Sequence, residues 1–223
     1  MTKSENTSAF RVIRIDEALR QDHSYLTADD ECFCLGEYQP RGAFNAGPVN
    51  NLISNYKKSV TKRGLLEYDH KERAILTVAS LVKGVINTNA FKTCTFIPIP
   101  PSKTRADPLY DDRLARSLRA VDTDLDVREL LVAKQSMRAH HEFQSGEKRP
   151  TPADLYAMLA IDESCLQTPV KNTIILFDDL ITNGTHFKAC KKLLKERLPE
   201  RTVVGLFIGR VKRPDVLPDF RSS

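Results

Sequence analysis

The sequence predicts an α/β fold, an open parallel sheet flanked by helices, and three observations carry that prediction. The first is at residues 173–209. An apolar run, TIILF, is followed by the turn DDLITNGT, a helix-period stretch, HFKACKKLLKERL, and a second apolar run, VVGLFIG. Strand, helix and strand at that spacing form a β-α-β unit, whose strands lie parallel because a tight hairpin cannot join them. The second is CTFIPIP at residues 94–100, β-branched and aromatic, stopped by the prolines at 98, 100 and 101. The third is the helix-sized spacing between the apolar runs, an arrangement that places ligands at the carboxyl ends of the strands.

The elements follow in order. Residues 1–30 are polar and weakly patterned; residues 31–38, ECFCLGEY, read as a strand, and residues 39–48 as a loop. A short amphipathic helix is expected over 49–58. Over 70–86, Ile75, Val78, Ala79, Val82 and Ile86 recur at helical spacing, with Asp69 available as the N-cap. After the strand at 94–100 comes a short cationic loop, PSKTRADP, then a helix over 110–121 through Leu114, Leu118 and Val121, and a strand over 127–134. Residues 136–152 lack either period and read as a mobile loop of functional length, with a short helix over 153–161 behind it.

Composition narrows the function classes. The chain has 223 residues, 41% of them hydrophobic and 28% charged, and a formal net charge of +5, so the surface is mildly basic and anionic ligands fit it. Nucleic-acid binding is compatible with that charge but not required by it. No stretch approaches the roughly 20 apolar residues of a membrane span, and the N-terminus lacks the apolar core of a signal peptide, so a cytoplasmic location is expected. The five cysteines are scattered, with only Cys32 and Cys34 close together. Reduced, mostly buried thiols are expected rather than a four-ligand zinc site.

The densest chemistry lies in IILFDDLITNGTHF. Asp178 and Asp179 come at the carboxyl end of an apolar strand, where both are expected to face solvent and ligand. The turn formed by Thr182, Asn183, Gly184 and Thr185 then opens a helix, whose unpaired N–H groups and positive dipole end suit a phosphate. The acids suit the hydroxyls of a sugar. An NTPase would need a partner G-x-x-x-x-G-K-[ST], but the nearest candidate, GAFNAGPV, has Pro48 where lysine must stand. An acidic helix cap with nothing bound would explain Asp179 and Thr182 but not the whole run.

This run resembles the PRPP-binding motif of the type I phosphoribosyltransferases: four apolar residues, two acids, two apolar residues, then T-T-G-[TS]. Asn183 departs from the usual second threonine, at a position expected to contribute mainly its backbone. By the resemblance, Asp178 and Asp179 bind the ribose hydroxyls and Thr182, Asn183, Gly184 and Thr185 take the 5′-phosphate. FIPIPPSKTRADP is similar to the segment of the ComF-like members in which a strand precedes the pyrophosphate loop. That implies pyrophosphate contact for Ser102 and Lys103, with Pro101, Thr104 and Arg105 beside them, and a cis bond at Pro100-Pro101. A flexible loop carrying Arg138, His140 and His141 would close over the reaction centre.

The likeness covers roughly residues 70–210. It implies the type I phosphoribosyltransferase fold, with residues 70–223 as its core and residues 1–69 as an N-terminal segment, a small hood or lobe over the acceptor site. The cysteine-rich knuckle common in ComF-like proteins is absent from this N-terminal sequence. The implied activity is PRPP-dependent transfer to a nucleobase or amine with release of pyrophosphate. Magnesium would be carried on PRPP rather than on protein ligands, and a homodimer is the family-level expectation. The alternative is a non-catalytic sensor of PRPP or a nucleotide, because a retained phosphate loop does not by itself imply retained chemistry.

Overall fold

The computed structural model describes residues 10–40, 46–136 and 150–213, so the loop residues Arg138, His140 and His141 lie outside the described residues. Its strands, in chain order, are β1 (Ile13–Arg14), β2 (Cys32–Cys34), β3 (Glu37–Tyr38), β4 (Cys94–Pro98), β5 (Leu131–Ala133), β6 (Leu159–Ile161), β7 (Thr173–Ile181) and β8 (Thr202–Val211). The helices are α1 (Glu17–Arg20), α2 (Pro48–Tyr56), α3 (Asp69–Val85), α4 (Ala90–Thr93), α5 (Arg113–Arg119), α6 (Pro152–Ala157) and α7 (Thr185–Arg197).

The main sheet has the order β1-β2-β8-β7-β4, with β3 also paired to β8. It is α/β and mostly parallel. The exception is β1, which runs antiparallel to β2 at one edge, so the sheet is mixed rather than wholly parallel. Neighbouring residues of one strand serve opposite faces: Phe96 and Ile97 of β4, like Leu206 and Phe207 of β8, enter different apolar layers. One layer joins the sheet to α2, α3 and α5 through Ile53, Val78 and Leu118. The other joins it to α7 through Phe187, Cys190 and Leu194. Each such side chain contributes about 2 kcal/mol of burial free energy, so the sheet is anchored from both sides.

Part of the N-terminal segment, residues 13–38, joins the main sheet through β1, β2 and β3. Cys32 pairs with Gly205 and Glu37 with Arg210, in one register, so the segment expected as a single strand is a continuation of the main sheet interrupted at Leu35 and Gly36. Gly205 has no side chain for a packing reason: a Cβ there would lie 2.9 Å from the Cys32 sulfur and 3.0 Å from the Phe187 ring. The sheet therefore crosses the 69/70 boundary.

Other expectations shift locally. Asp69 begins α3 rather than capping it; Tyr68 occupies the cap. The strand expected over 127–134 divides: residues 126–128 run beside Phe96 of β4, and the chain then leaves to form β5. The helix expected over 153–161 ends at Ala157, and Leu159–Ile161 turns into β6, antiparallel to β5. Pro152 and a capping box between Thr151 and Asp154 set the start of that helix. No peptide bond among the described residues is cis, so Pro100-Pro101 is trans.

Candidate functional site

The acids lie within β7, which runs on to Ile181, four residues beyond the expected strand. Both are buried, Asp178 at 8% exposure and Asp179 at 4%, rather than facing solvent. Consecutive strand residues project to opposite faces, and the partners of the two acids differ accordingly. Asp179 meets the α2 and α5 side: Lys57, just past α2, lies 2.9 Å from Oδ1, and the Arg113 guanidinium donates to Oδ2 at 2.6 Å. Asp178 meets the α7 side. Its Oδ1 accepts the Asp179 N–H at 2.7 Å, and its Oδ2 lies 3.9 Å from His186 Nδ1.

Behind Asp179 the charges continue inward. Arg113 also donates to Asp111 at 2.7 Å, and the same Asp111 oxygen takes a proton of Lys71 at 2.6 Å. Lys71 is 0% exposed and donates as well to the carbonyls of Tyr56 and Lys58, so its ammonium is fully hydrogen-bonded where the apolar stripe of α3 would otherwise place an aliphatic residue. The Arg113 guanidinium lies 5.6 Å from the Tyr56 ring, and its Nε has no partner. Lys57, Lys71 and Arg113 thus face the paired carboxylates Asp111 and Asp179, with Asp178 as a third acid at the end of β7.

This environment separates the two acids. Burial, then the Asp179 charge, pushes Asp178 up to about 7. Burial acts on Asp179 too, but the charges of Lys57 and Arg113 outweigh it and hold that carboxyl well below the usual range. One carboxylate is permanently charged and neutralised; the other titrates near neutrality.

The Thr-Asn-Gly-Thr turn opens α7 as expected, with Gly184 at φ 87° in the left-handed region. The Asn183 side chain departs from its expected backbone role. Its Oδ1 accepts from the Thr185 N–H at 3.2 Å and from the Thr185 hydroxyl at 2.6 Å, while the Thr182 hydroxyl donates to it at 3.3 Å. The turn therefore satisfies part of its own helix end. Thr185 is buried and Thr182 exposed.

The loop after β4 is held from behind. Thr104 N–H donates to the Ser136 hydroxyl, which donates to Asp107, and Arg105 is committed to Asp162 and the Glu129 carbonyl. Lys103 is half-buried, with Asp107 within reach of its charge. Ser102 faces a cavity of about 300 Å³. Pro100 and Pro101 wall it on one side, Leu155 and Met158 of the α6 region on another, and His186 and Cys190 of α7 on a third. The expected pyrophosphate loop and the first turn after the expected phosphate loop thus open onto one mostly apolar space.

Lys57, Arg113, Asp111 and Lys71 were not legible as site residues. Arg113 sits 66 residues from Asp179, and only the fold brings them together. His23 was equally silent: fully buried, it presents Nδ1 to the Thr182 carbonyl. Among the described residues no group of three or more His, Cys, Asp or Glu could hold a metal. The acids in particular do not fit a shared ion, since they face opposite sides and Asp179 is ion-paired through both oxygens. No protein-family model matches the chain, and no curated protein matches it significantly.

Proposed function

We propose that this protein is a type I phosphoribosyltransferase: it binds PRPP and transfers its phosphoribosyl group to a nucleobase or an amine. In that reaction the C1–O bond to pyrophosphate breaks, a C1–N bond forms, and the nitrogen gives up its proton. The observation that carries the reading is the shared cavity. Ser102, after β4, and His186, one residue past the Thr182–Thr185 turn, line it together, and a ligand held at one end by a 5′-phosphate and at the other by a diphosphate would reach into it from that turn.

The Thr182 to Thr185 turn would hold the 5′-phosphate, and Asp178 would orient a ribose hydroxyl. Magnesium would travel with the diphosphate; the protein's own acids do not fit it, and no step here depends on it. The apolar cavity wall would keep water from C1, where hydrolysis competes with transfer.

A second reading, a non-catalytic sensor of PRPP or a nucleotide, draws support from the internal pairing of Asp179 and Thr185. Both groups are already engaged within the protein. Calorimetric titration with PRPP, with and without magnesium, followed by an assay of pyrophosphate release over a panel of bases, separates the two. Saturable binding with release supports transfer; binding without release for any base supports the sensor; no binding at millimolar PRPP overturns both.

A further inference from the structure

We infer that residues 22–30 form a strap that holds the phosphate loop in its ligand-binding orientation, with His23 as a positioning residue; the inference rests on the phosphoribosyl reading. The strap is anchored at both ends. Asp22 binds Arg210 of β8 at 2.8 Å, and Asp30, itself buried, takes protons from Lys188 at 2.6 Å and Lys191 at 2.7 Å on α7. Between these anchors three successive contacts fall on the loop. His23 Nδ1 meets the Thr182 carbonyl, the Tyr25 N–H donates to the Asn183 carbonyl at 2.9 Å, and Leu26 packs so closely on Gly184 that a Cβ there would lie 3.0 Å from its Cδ2.

Peptide geometry gives these contacts a consequence. In a planar trans peptide the C=O and the following N–H point in opposite directions. With the Thr182 and Asn183 carbonyls turned into the strap, the N–H groups of Asn183 and Gly184 turn away from it. No described residue accepts from either. Since a carbonyl only accepts, His23 Nδ1 carries its proton, and Nε2, buried, has no partner. A histidine held at that cost in unmet hydrogen bonding, at 0% exposure beneath the loop, serves the orientation of the peptide it touches.

The test uses the full chain and ribose 5-phosphate, titrated by calorimetry at a temperature where every variant is folded. His23→Leu removes the donor and should weaken binding about tenfold, whereas His23→Asn, whose amide can occupy the Nδ1 position, should bind within about threefold of wild type. A role confined to stability would lower the unfolding midpoint of both variants and leave the affinity of the folded protein unchanged, which would overturn the inference. If His23→Leu does not fold, Leu26→Ala carries the test: it keeps both hydrogen bonds, frees Gly184, and should weaken binding about threefold. Unchanged affinity there would be equally decisive against the strap. A wild type that binds neither ribose 5-phosphate nor PRPP would overturn the phosphoribosyl reading itself. A wild type that binds while His23→Leu binds equally well would overturn the strap alone.

Discussion

Arg113 donates to Asp179 at 2.6 Å at the end of β7, where the acid is buried and the guanidinium side chain keeps 19% of its surface exposed. With Lys57 on its other oxygen, the acid is structural. Replacing Arg113 by methionine leaves Asp179 with Lys57 and Asp111 with Lys71, and should cost about 1.5–3 kcal/mol in urea unfolding, the worth of a hydrogen bond to a charged group. The motif alone implies that neutralising both acids would barely disturb the fold. The geometry reverses that expectation for Asp179: Asp179→Asn leaves Lys57 without its carboxylate and Arg113 with Asp111 alone, and should destabilise by a similar order, and a wild-type unfolding midpoint for this variant would sink the argument.

Asp178 should reveal itself through pH. Its folded value, about 7, lies above the ordinary 3.8, so its favourable contribution is complete below 3.8 and is lost as the pH rises through about 7. Asp178→Asn keeps an oxygen for the Asp179 N–H but does not ionise. Its stability relative to wild type should therefore rise between about pH 4 and about pH 7 and level off above that. Paired urea titrations across this range give the difference directly; a difference independent of pH would show that Asp178 titrates as an ordinary carboxyl.

Asn183 offers a change in the opposite direction. Its side chain occupies the Thr185 N–H and hydroxyl, two donors that the proposed site needs. Asn183→Thr shortens the side chain and releases at least the hydroxyl. PRPP affinity should rise by about tenfold, the worth of one hydrogen bond to a charged acceptor, while stability falls by about 1 kcal/mol from the weakened cap. Loss of stability with no gain in affinity would mean that Asn183 already moves aside at no cost when the ligand binds.

The residues that sequence made legible are those whose signal is local. The β7-α7-β8 unit follows from apolar runs and a turn, and the α3 stripe from its period, because each needs only neighbours along the chain. What escaped depends on distant partners. β6 pairs with β5 across more than twenty residues, and a nine-residue apolar run does not say whether it continues as helix. The two acids read as an exposed pair because the apolar run ends at Phe177, whereas the strand itself continues to Ile181. Lys71 interrupts an apolar stripe, and only Asp111 and two carbonyls, all supplied by other segments, explain its burial.

The cysteines test the packing independently of any ligand. Cys32, Cys34 and Cys190 are buried, and Cys94 and Cys165 are partly exposed, in keeping with the reduced thiols expected from their scatter. Burial pushes Cys32 up to about 12 and Cys34 up to about 11, and it raises Cys190 strongly as well. Thiolate is the reactive form, so these three should resist an aromatic disulfide reagent at neutral pH in the folded protein and react fully in urea. Two thiols should react quickly and three only as the protein opens. Cys190 lies both in the α7 core and on the cavity wall, so its rate reports the cavity itself. If it reacts as fast as Cys94, the wall around His186 opens without global unfolding; if it tracks Cys32, cavity and core open together.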